Sequence, residues 1–73
     1  MDFDRITSLA WDMVTGKADY GLMDTPAAQS AYCMMIKIYS MYQNKSISKE
    51  ASIEMRDTIK GIYSDVRAGR YKT

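Results

Sequence analysis

Residues 25–44 read TPAAQSAYCMMIKIYSMYQN, and this stretch decides the fold. Thr25 followed by Pro26 is a helix start. A threonine hydroxyl caps free amides of the first turn, and proline fits the first helical position, where its missing N–H is no loss. The spacing predicts a helix over about 26–44. At 100° per residue, Met34, Ala27, Ile38, Ala31, Tyr42, Met35, Ala28, Tyr39 and Tyr32 cover about half its circumference. A helix resting on one neighbour needs only about 100° of apolar surface. This helix is therefore expected at the centre, touched by two or more elements. Its polar side, Gln29, Ser30, Lys37, Ser40 and Gln43, is interrupted by Cys33 and Ile36.

Towards the N-terminus, Phe3, Ile6, Leu9, Ala10, Met13 and Val14 recur at the three-and-four spacing of one helix face. They predict a helix over about 3–15, with Asp2 as N-cap, Asp4 in the first turn and Gly16 as the stop. Trp11 lies about 60° outside that stripe. The connection from Gly16 to Thr25 carries Tyr20, Leu22 and Met23, too apolar for a free linker. It is expected to fold back over one end of the core.

Towards the C-terminus, Asn44-Lys45-Ser46-Ile47 forms a tight turn and Ser48 caps a third helix over about 48–68, with Glu50 in its first turn and Gly69 at its stop. Ala51, Met55, Ile59, Ile62 and Val66 form its apolar stripe, with Tyr63 at the edge. So short a turn makes the second and third helices an antiparallel hairpin. Nothing reads as a strand. The expectation is one all-α domain over 1–73: a three-helix domain, its short N-terminal helix packed across an antiparallel hairpin of two longer helices.

Seventy-three residues bury only about 60% of their unfolded surface, so chains of this size usually lean on disulfides, a metal or a partner. Cys33 is the only cysteine and there is no histidine, which excludes an intrachain disulfide and leaves no zinc ligand set. Association remains, and self-association is expected. One thiol fits a reducing cytosol, and the opening Met1-Asp2-Phe3-Asp4 is acidic where a signal peptide is basic. No apolar run approaches the ~20 residues that span a bilayer. The expected place is the cytoplasm, with no membrane partner and no cofactor.

The net charge of +1 conceals a polarity: residues 1–24 carry −3 and residues 60–73 carry +3. Catalytic chemistry finds little to work with. Histidine, the usual general base near neutral pH, is absent, and the four glycines form no phosphate-cradling loop. Cys33 has only Lys37 one turn away to lower its pKa, and reads better as a small apolar filler. Glu50 and Glu54 stand one turn apart near a helix start, where acids are expected for dipole reasons. No enzyme is expected.

Two patches are candidates for binding. Arg56, Lys60 and Arg67 fall within about 40° of one another on the third helix, with Tyr63 bordering them and Arg70, Tyr71 and Lys72 extending the charge. Such a ridge can grip the phosphates of a nucleotide or nucleic acid with tyrosine stacking on a base, or grip an acidic protein. It reads equally as a solvated face whose aliphatic stems shield the core edge. On the second helix, Tyr32, Ile36, Tyr39 and Gln43 lie within about 60°. Tyrosine suits a surface part apolar and part wet, so this edge is either an interface or a layer beneath the first helix.

The run Trp11-Asp12-Met13-Val14-Thr15-Gly16-Lys17, then Pro26, Tyr32, Ile38-Tyr39, Tyr42 and Ile47-Ser48-Lys49-Glu50, resembles small helical proteins of phages and prophages of gut Firmicutes. The resemblance covers most of the chain and carries over no catalytic residue. It implies a short viral protein acting stoichiometrically on host machinery: a counter-defence inhibitor that binds a host immune effector protein, or an oligomeric sponge for a cyclic nucleotide signal. A structural component of a viral assembly is the third expectation.

Overall fold

Each helix begins at a side-chain cap. In the computed structural model, which describes residues 1–70, α1 spans Phe3–Val14, α2 spans Pro26–Gln43 and α3 spans Lys49–Arg67. Asp2 accepts the Arg5 amide at 2.8 Å, Thr25 the Ala28 amide at 3.1 Å and Ser48 the Ala51 amide at 3.1 Å. These are the three residues expected to cap, and the helix ends fall within a residue of the expected boundaries. Past α1 the chain reverses through Gly16 at φ +82°, a left-handed conformation that glycine adopts without a Cβ clash. Between α2 and α3, the Asn44 side chain accepts the Ser46 amide at 3.0 Å and closes the tight turn.

The fold is the expected three-helix domain, and among the described residues it contains no strand. α2 is central: α1 and α3 both pack on it. The core draws Phe3, Ile6 and Ala10 from α1, Ala28, Ala31, Tyr32, Met35 and Ile38 from α2, and Ile59 and Tyr63 from α3.

The connection before α2 does fold back, and Gln29 is what holds it. Its Oε1 accepts the Met23 amide at 2.7 Å, while its Nε2 donates to the Tyr20 hydroxyl at 2.8 Å and to the Gly21 carbonyl at 3.3 Å. The Tyr32 hydroxyl accepts the Gly21 amide at 3.1 Å, and the Tyr20 ring lies 5.3 Å from that of Tyr32. Leu22 departs from the expectation. It is 87% exposed, and Tyr20, though held by Gln29, is 52% exposed as well.

α3 departs further. Its expected stripe was Ala51, Met55, Ile59, Ile62 and Val66, but its buried positions are Ser52, Ile59 and Tyr63, with Arg56 half-buried between them. The buried face is centred about 70° from the centre of that stripe, and Ile59 alone belongs to both. The largest ring on the helix decides the rotation. Tyr63 packs against Phe3 of α1 with centroids 6.1 Å apart, and its hydroxyl donates to the Met1 carbonyl. An aromatic side chain buries on the order of 150–250 Å², more than any aliphatic residue in the stripe. A helix with one neighbour covers about 100° of itself, so turning Tyr63 inward turns Met55, Ile62 and Val66 outward.

Candidate interaction surface

The tyrosine edge of α2 is largely interior. Tyr32 is only 1% exposed, one of the largest fully buried side chains, so the structure corrects its reading as an interface residue. Tyr39 is half-buried beneath α1, where Trp11 meets it edge to face with centroids 5.3 Å apart. Burial pushes the Tyr39 phenol above its ordinary pKa, against a smaller opposing effect of nearby Arg56 and Thr7. Ile36 is half-buried against the core. Only Gln43, at the end of α2, is exposed. Tyr32, Ile36 and Tyr39 thus belong to the interior of the fold, and Gln43 stands apart from them at its surface.

The basic ridge is divided among internal partners. Arg56 is half-buried beside Tyr39 and 3.5 Å from the Asp57 carboxylate. Arg67 donates to the Met1 carbonyl at 3.0 Å and lies over the Tyr63 ring, 5.6 Å from its centroid. Arg70 forms a two-nitrogen contact with Asp65, at 2.9 and 3.1 Å. Tyr63 is buried, so its ring is not offered to a base, which corrects its stacking role. Lys60 is exposed and, among the described residues, enters no ion pair. Lys60 and Arg67 still flank an open concavity of about 430 Å³ whose floor is Phe3 and Tyr63. Tyr71 and Lys72 lie outside the described residues.

What the rotation of α3 exposes is an apolar face that sequence reasoning assigned to the core. Met55, Ile62 and Val66 are 38%, 39% and 37% exposed, and Met34 across from them on α2 is 42% exposed. Met34, Ile62 and Val66, with Ala27 and Ala31 of α2, line a groove of about 140 Å³ between the two helices, and Met55 lies outside it on the same stripe of α3. α1 packs on α2 at Tyr39, through Trp11, and contributes no residue to this groove among the described residues. No protein-family model, curated protein or solved structure matches this chain. The reading of the site therefore rests on its own chemistry.

That chemistry is almost wholly apolar. Ser30 and Tyr63 carry the only side-chain polar atoms among the groove's lining residues, and the Tyr63 hydroxyl is engaged with Met1. Among the described residues that line it, the groove offers no paired carboxylates, no thiol and no cation. It can exclude water against another apolar surface. The two methionines, Met34 and Met55, can repack to fit it, since unbranched thioether chains adapt to irregular contacts. The signal in the sequence was the width of the apolar band on α3. From Ala51 round to Tyr63 it spans about 120°, more than one neighbouring helix covers.

Proposed function

We propose that this protein is a stoichiometric protein-binding module that acts without catalysis, through the open α2–α3 face. One observation carries the reading: three large apolar side chains, Met34, Ile62 and Val66, stand exposed around one groove between two packed helices, and Met55, also exposed, continues their stripe along α3. Apolar residues scattered singly over a surface need no explanation, but a contiguous patch marks a contact site. The resemblance to small phage proteins supports the more specific form, a counter-defence inhibitor that occupies a host immune effector. Photo-crosslinking tests the surface. A crosslinker at position 62 or 34 should capture a protein in the producing cell, whereas one at Asp57, on the charged side of α3, should not. Equal capture from Asp57, or none from the face, overturns the reading.

A second reading has one observation in its favour, the concavity between Lys60 and Arg67. It makes the chain an anion binder, for a nucleotide or nucleic acid. Against it stands the last turn of α3, whose free carbonyls carry negative partial charge and account for Arg67 by themselves. Nucleotide or nucleic-acid binding that falls steeply with salt and vanishes in Lys60→Glu with Arg67→Glu supports this second reading. Absence of binding to the unaltered protein removes it.

A further inference from the structure

We propose that the occupant of the α2–α3 face is a second copy of this chain, packed about a two-fold axis parallel to the helices. The proposal rests on the reading of that face as a protein-contact surface and names its occupant as a second copy in place of a host effector, since one face holds one partner at a time. In this arrangement α2 of each copy lies over α3 of the other, and every neighbouring pair in the resulting four-helix layer runs antiparallel.

Size is the first argument. α2 and α3 have 18 and 19 residues. At 1.5 Å per residue and with axes about 8–10 Å apart, they present a face roughly 27 Å long and 20 Å wide. That is on the order of 550 Å² in projection, before side-chain relief is added, against about 600 Å² per partner at the lower end of specific dimers. The face of one copy is large enough, and it is apolar down its middle, as the centre of a homodimer interface is.

Charge is the second argument, and it selects the axis. Lys37 lies about 60° outside Met34 on α2, and Glu54 about 60° outside Ala51 on α3, so they flank the apolar face on opposite edges. Lys37 is six residues before the end of α2 and Glu54 five residues after the start of α3. In an antiparallel hairpin these positions share one height, about 8–9 Å from the turn. A two-fold axis parallel to the helices preserves height and exchanges the edges. Each copy's Lys37 then meets the other copy's Glu54, twice per dimer. An axis perpendicular to the helices instead lays α2 on α2. Because α2 contains no acidic residue, Lys37 would then find no carboxylate on the helix it faces. An isologous contact must be self-complementary, and the first arrangement supplies that complement twice.

The test is solution mass from micromolar to millimolar protein, by sedimentation equilibrium, for the full chain and its variants. The unaltered chain is expected to move from 8.3 kDa towards twice that mass. Ile62→Lys should weaken association at least about tenfold, the cost of a charge in an apolar interface centre. It should leave the helical circular dichroism intact, because Ile62 is not in the core. Lys37→Glu and Glu54→Lys should each weaken the dimer several-fold, and the double variant should restore it. A strict monomer overturns the self-pairing but leaves the face open to another protein, which crosslinking from position 62 then reports as a mixed adduct. A dimer indifferent to Ile62→Lys overturns the self-pairing through this face. A dimer that Ile62→Lys breaks but the charge exchange fails to restore overturns the proposed axis.

Discussion

Trp11 of α1 meets Tyr39 of α2 edge to face, with ring planes at 82° and centroids 5.3 Å apart, and a second tyrosine, Tyr42, lies 6.4 Å from the same ring. This aromatic contact fastens the C-terminal end of α1, while Phe3 and Met1 fasten its start. Truncating a fully buried Trp to Ala costs about 3–5 kcal/mol, and Trp11 is half-buried. Trp11→Ala is therefore expected to cost about 2–3 kcal/mol in urea unfolding. Since Trp11 is the sole tryptophan, Tyr39→Ala should also shift its emission to the red, reporting the opened contact directly.

The Met1 carbonyl accepts from both the Tyr63 hydroxyl and the Arg67 guanidinium. Either donor alone satisfies it. Tyr63→Phe and Arg67→Met should each cost about 0.5–1.5 kcal/mol, the net worth of a typical hydrogen bond. The double variant, which strips the carbonyl of both partners, should cost more than the sum. A coupling of at least about 0.5 kcal/mol in a double-mutant cycle checks this, and strict additivity contradicts it.

The α-amino group of Met1 lies 2.8 Å from the Asp24 carboxylate, and that hydrogen bond holds the Asp24 pKa below its ordinary value of 3.8. A depressed carboxylate pKa means that protons bind the unfolded chain more readily. The pair's contribution is present above the ordinary value and lost as pH falls through the folded one. Asp24→Asn should therefore flatten the acid limb of the stability curve below about pH 4, with little change in its shape near neutrality. Thermal melts of the two proteins from neutral pH downwards measure it.

The capping residues Asp2, Thr25 and Ser48 made the helices legible, because each cap is a local bond between a side chain and an amide three residues on. The central place of α2 was legible from the breadth of its apolar surface. The rotation of α3 was not. It depends on Tyr63 reaching Phe3 and Met1, a contact across more than 55 residues that a helical wheel cannot represent. The same limit governs the site. The wheel grouped Arg56, Lys60 and Arg67 on one side of α3 but carried no information about Tyr39 or the Met1 carbonyl, which engage two of them. Gln29 read as one more polar residue on the outer side of α2, since its partners, Met23, Tyr20 and Gly21, belong to a connection without periodicity.

Gly61 sits inside α3, where glycine costs about 1 kcal/mol relative to alanine, and nothing lies within 4 Å of the place its Cβ would take. Neither crowding nor backbone conformation requires glycine there, so Gly61→Ala should stabilise the fold by about 0.5–1 kcal/mol. For a domain of this size the melting temperature should rise by a few degrees, at roughly 4–8 °C per kcal/mol. Position 61 stands about 120° round α3 from the middle of the exposed apolar face. The variant should therefore keep whatever association the unaltered chain shows while melting higher. If Gly61→Ala instead abolished association, the contact would be centred beyond Glu54, on the Gly61–Asp65 edge of α3 and not on the apolar face, with a second backbone approaching too closely to admit a methyl group.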